Sequence, residues 1–122
     1  MKSAYICHPL RGKTGSPEEI KSNLERIDEI CKNLAAIYPD VLLLSPLHAF
    51  SFYDPRGDQT QVLGQCVAML KRADELWVFG EWKESQGCRM EIEYARRIGK
   101  RVIDMTDGEE AEANEAILRR LA

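Results

Sequence analysis

A chain of 122 residues, 44% hydrophobic and 30% charged with no biased stretch, suits one compact domain that buries roughly two thirds of its unfolded surface. Its net charge of −3 comes from interspersed acids and bases, so no basic stripe is available to gather a polymeric nucleic acid. The runs Val41–Leu44 and Leu76–Phe79 are too short to span a bilayer, Met1–Ala4 lacks the apolar region of a leader, and four cysteines lie far apart without metal-ligand spacing; the expectation is a cytoplasmic protein with reduced thiols, no metal, no cofactor and no membrane partner.

The β-prone run Ala4–Cys7 stops at His8-Pro9 and reads as a buried first strand. Ser16-Pro17-Glu18-Glu19 then supplies an N-cap, a proline at the first helical position and an acid at the third, which starts a helix running to about Tyr38 and ended by Pro39. Ile20, Leu24, Ile27, Ile30, Cys31 and Leu34 form its predicted buried face. Val41–Leu44 is a second, wholly apolar strand closed by Ser45-Pro46. From Leu47 to Gly57 the chain has no clear period but carries His48, Phe50, Phe52, Tyr53 and Asp54, a connection long enough to suggest function.

Further along, a helix is predicted over about Thr60 to Arg72, a third strand over Leu76 to Phe79, and another helix through Glu91. A strand at Arg101–Asp104 follows the Gly99 stop, and a last helix spans about Glu109 to Leu121. Strict alternation of strand and helix predicts an α/β fold: a single three-layer, flavodoxin-like or Rossmann-like domain with a mostly parallel sheet of four to five strands. Ligand sites in such sheets lie beyond the carboxyl ends of the strands, which brings together Cys7–Gly15, Ser45–Asp58 and Gly80–Gly87.

Glu91 breaks the pattern of its helix. Cys88, Glu91, Ile92, Ala95 and Ile98 share one stripe at three-and-four spacing, with Glu93, Arg96 and Arg97 opposite. A carboxylate inside an oily stripe costs several kcal/mol, on the order of any unpaired buried charge, unless a cleft or partner receives it. Glu91 is therefore a candidate working group; the competing reading pairs it with Arg11 or Lys13 as a structural bridge. Arg11, Gly12, Lys13, Gly15 and Ser16 offer the parts of a phosphate cradle and equally the ordinary composition of an exposed loop. His48 is either a loop-packing residue or a proton shuttle. Trp82 suits base stacking, a lid or a subunit contact, while Phe52 and Tyr53 suit a stacking wall or an interface.

Tyr5-Ile-Cys-His-Pro-Leu-Arg-Gly12, together with Ala73-Asp74-Glu-Leu-Trp-Val-Phe-Gly80 and Ser85-x-Gly87-x-x-x-Glu91-x-x-x-Ala95, resembles the paired motifs of nucleoside 2-deoxyribosyltransferase-like proteins, above all the small, often phage-encoded members. The resemblance runs from about Tyr5 to Val102 and extends the assignment to a single domain, 1–122. It implies N-glycosidic bond cleavage or deoxyribosyl transfer on a deoxynucleoside or its 5'-monophosphate. Glu91 would be the nucleophile and Tyr5 the residue that positions it. Cys7, His8, Arg11, Gly12, His48, Trp82, Ser85 and Gly87 would meet substrate, and serine at position 85 leans toward a nucleotide. The resemblance also implies a homodimer or higher homo-oligomer, for which Phe50, Phe52, Tyr53 and Trp82 offer apolar surface. Two departures stand out: Cys66 falls where active members carry the aspartate that helps protonate the leaving base, and His8-Pro9 replaces small residues of the first loop. The alternative reading is a catalytically weak or inactive nucleotide-binding or sensing module of the same fold.

Overall fold

The computed structural model describes residues 1–106, so the last predicted helix, Glu109 to Leu121, lies outside the described residues. The elements run β1 (Lys2–Cys7), α1 (Pro17–Ile37), β2 (Val41–Leu44), α2 (Pro46–Ala49), α3 (Thr60–Arg72), β3 (Glu75–Val78), a short 3-10 turn at Trp82–Glu84, α4 (Gln86–Arg97) and β4 (Arg101–Asp104). All strand pairs are parallel and the order is β2-β1-β3-β4, with Tyr5 opposite both Leu44 and Leu76. This is the flavodoxin-like or Rossmann-like architecture that the alternation implied.

Two apolar layers cover the sheet, as side chains alternating along its strands require. On one face Tyr5, Cys7, Leu76 and Val78 pack with Cys66 and Leu70 of α3 and with Cys88, Ile92 and Ala95 of α4. On the other, Ala4, Ile6 and Trp77 pack with Ile27 and Leu34 of α1. Because β1 sits centrally, the chain leaves it toward β2 on one side and reaches β3 on the other. The connections after β1 and β3 enter helices on opposite faces, which opens a crevice beyond their carboxyl ends.

Local structure departs from the sequence pattern in four places. Ser16 caps α1 by accepting the Glu19 N–H at 3.1 Å, but Glu19 does not return the bond to Ser16. Its carboxylate instead accepts the backbone N–H groups of Lys13 and Thr14, and the Thr14 hydroxyl, clamping the loop after β1. Within that loop Gly12 has φ of +64°, and a Cβ there would collide with the Glu19 carboxyl. Leu24 is 38% and Ile98 39% exposed, so both leave the buried faces assigned to them. The aromatic connection is not all loop, since Pro46–Ala49 forms a helical turn. Finally, β2 is an edge strand with Leu42 half exposed, because an apolar strand has only one face to bury when its helix covers one side.

Candidate active site

A cleft of about 510 Å³ opens beyond the carboxyl ends of β1 and β3. Its walls come from the loop after β1, the connection after β2, one side of α3 and the first two turns of α4. The α4 start is set by Ser85, whose side chain accepts the Cys88 N–H at 3.2 Å and is itself buried. Glu91 stands two turns into α4, where helical side chains lean back toward the N-terminus and so toward the crevice.

Glu91 lines the cleft and is half-buried. Its desolvation raises the carboxyl pKa to about 7, against a smaller downward pull from the Cys7 thiol and the Tyr5 hydroxyl. No cation forms an ion pair with it among the described residues. The structural-bridge reading therefore fails for a specific reason: Arg11 spends its guanidinium on the other wall, donating from Nε to the Pro55 carbonyl at 2.8 Å and from Nη2 to the Gly57 carbonyl at 3.1 Å.

Around Glu91 stand groups that hold their protons. Tyr5 is wholly buried behind it; burial, and then the Glu91 charge, push the phenol pKa well up. The Tyr5 hydroxyl completes no hydrogen bond of ordinary geometry among the described residues. The Cys7 thiol is likewise pushed up, by its hydrogen bond with Cys88, by burial and by Glu91. Cys66 lines the cleft beside this group, and burial followed by the Glu91 charge lift its thiol to about 11. His8, also on the cleft wall, is 4% exposed and donates from Nδ1 to the Pro9 carbonyl at 2.7 Å. Burial lowers its pKa, so the ring is neutral and the buried, unpartnered Nε2 carries no proton.

Of the residues singled out in the sequence, Glu91, His8, Arg11, Gly12, Ser85 and Gly87 line the cleft. Tyr5 and Cys7 lie beneath its floor with no exposure, in contact with Glu91 and not with the open space. His48 and Trp82 are not among its lining. His48 sits on the outer surface of α2, with Nδ1 2.6 Å from the Ser45 hydroxyl and Nε2 3.3 Å from Asp28 on α1. Trp82 packs on the α4 side of the core and donates its indole N–H to Asp104 at 3.3 Å. Phe50 and Tyr53 form a cleft wall with ring centroids 6.4 Å apart, while Phe52 is 77% exposed outside it. Leu24, Gln59 and Met90 also line it and had no signal in the sequence beyond an imperfect helical stripe for Leu24.

Among the described residues no group of three or more His, Cys, Asp or Glu side chains could hold a metal ion, and no helix is long and apolar enough to cross a membrane. A family model described as a domain of unknown function, DUF4406, matches residues 4–104, a span that takes in all of the sheet but the first two residues of β1, and every wall of the cleft. No curated protein matches the chain.

Proposed function

The chain belongs to the DUF4406 family, and from its cleft we infer an enzyme that breaks an N-glycosidic bond of a nucleoside or nucleotide, with Glu91 as nucleophile. The observation that carries this reading is a carboxyl on the wall of an open cleft, desolvated and without an ion-pair partner among the described residues. Such a group is costly to keep and is the kind retained for work. The motif resemblance to nucleoside 2-deoxyribosyltransferase-like proteins supports the same assignment.

In this reading a Glu91 oxygen attacks the anomeric carbon, the base departs with the bonding electrons, and water or a second base then displaces the glutamyl ester. With a pKa of about 7, half of the Glu91 carboxyls are ionised at neutral pH, and desolvation keeps that anion nucleophilic. Tyr5 and Cys7 orient it from below. The Ser85 hydroxyl retains its proton for donation after accepting Cys88 N–H. With the free N–H groups of the first α4 turn it forms the natural place for a 5'-phosphate.

Incubation of the protein with the four deoxynucleosides and their 5'-monophosphates, followed by chromatography for free base, tests the assignment. Release that is lost in Glu91→Ala is expected; release that persists in Glu91→Ala overturns the mechanism. The second reading, a binding module that does not turn its ligand over, draws on Cys66 at the acid position and predicts a saturable complex from which the nucleotide is recovered intact.

A further inference from the structure

A glycosidase normally hands a proton to the departing base, and among the described residues the cleft offers no group fit for that task. The Cys66 thiol holds its proton too tightly, as does the Tyr5 phenol below the floor. His8 has committed its single N–H to the Pro9 carbonyl. His48 and Asp58 stand outside the lining, Asp58 capping the Thr60 N–H and hydroxyl. Asp54 is an exposed rim residue whose Oδ1 accepts the Arg56 N–H. The charge of the cleft leans to the negative side. Its carboxylates are Glu91 and Asp54, and its one cationic side chain among the described residues, Arg11, is turned into the Pro55 and Gly57 carbonyls. The same cleft is lined by Phe50 and Tyr53, a surface of the kind that attracts a delocalised cation.

Resting on the glycosidase reading above, we propose that the site takes N-glycosides whose aglycone is a quaternised, positively charged heteroaromatic base, such as an N7-alkylated purine or a pyridinium. The missing acid is then no defect. The Glu91 carboxylate forms a bond to the anomeric carbon as the C–N bond breaks; the electron pair returns to the ring nitrogen and cancels its positive charge, so a neutral base leaves without accepting a proton. Water then attacks the same carbon, the ester C–O bond breaks to restore the carboxylate, and the water's proton passes to solvent. An aromatic wall and two carboxylates favour the cationic ground state, and Glu91 favours the sugar cation that develops.

The test is kcat/KM for base release by the full chain from N7-methylguanosine and guanosine, and from the corresponding 2'-deoxy pair. General acid catalysis is worth on the order of 10²–10⁴-fold, so the methylated member should be cleaved at least about 100-fold faster in the preferred sugar series, and Cys66→Asp, by restoring an acid, should shrink that ratio by about tenfold or more. A parent nucleoside cleaved within tenfold of its methylated partner overturns the substrate class and leaves the glycosidase reading standing. A ratio that Cys66→Asp does not narrow, in a variant whose thermal transition shows it folded, also overturns it. Release from none of the four, nor from their 5'-monophosphates or nicotinamide riboside, overturns both.

Discussion

Each end of β3 has a desolvated acid beside it, and the protein treats the two oppositely. Glu75, at the amino end, is 7% exposed and fully engaged: it accepts the Trp77 indole N–H at 3.0 Å, pairs with Lys2 at 2.9 Å and lies 3.6 Å from Arg101. Burial raises its pKa, but those partners outweigh burial and the net shift is downward. Glu91, beyond the carboxyl end, is desolvated with only a thiol and a phenol for company, and its pKa rises to about 7. The first arrangement turns a buried charge into a tie between β1, β3 and β4. The second leaves the cost unanswered at an open cleft that a ligand can enter, which is how a site differs from a strut.

Substitution should pull the two roles apart. The largest effect expected is on turnover: Glu91→Gln should lower base release by about 10³-fold or more, the scale of losing a nucleophile, with guanidinium unfolding showing no loss of stability. Glu75→Ala should do the reverse. The Trp77 N–H would be left unpaired in a residue only 3% exposed, costing about 1–3 kcal/mol of unfolding free energy, while kcat of the folded fraction stays near wild type. A fall in stability for Glu91→Gln, or in kcat for Glu75→Ala, would break the distinction.

The pH dependences sharpen it further. Glu91 has a folded pKa of about 7 against an ordinary 4.5, so the folded state binds the proton more tightly, and stability contributed by the protonated carboxyl is complete below pH 4.5 and lost as pH rises toward 7. That loss is on the order of 3 kcal/mol, and Glu91→Gln should remove it, making the variant the more stable protein at pH 8. Turnover should move the other way, kcat/KM rising through pH 7 as Glu91 ionises; the groups facing it, Tyr5, Cys7 and Cys66, keep their protons throughout that range. Glu75, with its folded pKa depressed, contributes stability that is present above pH 4.5 and lost as pH falls below it. Urea unfolding at pH 4, 6 and 8 for wild type and both variants checks each sign.

A smaller effect is expected at Gly80, whose φ is +71° and whose Cβ, if present, would lie 3.0 Å from His8 Nε2. Gly80→Ala should cost about 1–2 kcal/mol for the left-handed backbone and raise KM by displacing the His8 wall, both measurable on one preparation. Smallest of all, Asp28→Asn removes the exposed partner of Lys32 and His48 on the outer surface; Tm and kcat/KM should both be indistinguishable from wild type.

Glu91 was legible in the sequence because a single carboxyl interrupted an otherwise apolar helical stripe, and helix periodicity is a local property. The strands and the caps at Ser16 and Gly99 were legible for the same reason. Glu75 was not, since its burial depends on Lys2, Trp77 and Arg101 meeting across three strands. Between loop packing and a proton shuttle for His48 the sequence left the choice open, because its partner Asp28 lies twenty positions earlier in the chain. The choice among the roles open to Trp82 was not legible either, because Asp104, which accepts its indole N–H, belongs to the next strand. Leu24 and Ile98 fit the apolar period but sit at the edges of their stripes, where packing alone decides between core, cleft and solvent. The aromatic connection gave its composition but not the turn at Pro46–Ala49 that turns Phe50 and Tyr53 into one wall.

The contrast between the two acids is tested most directly by carbon-13 NMR titration of the side-chain carboxyls, with Glu91 and Glu75 assigned through their glutamine variants. A midpoint near 7 for Glu91, in the same sample in which Glu75 titrates below 4.5, is the predicted result. A Glu91 midpoint at or below 4.5 would mean that the carboxyl is solvated or paired after all, and would contradict the claim that the cleft holds an uncompensated, ready nucleophile.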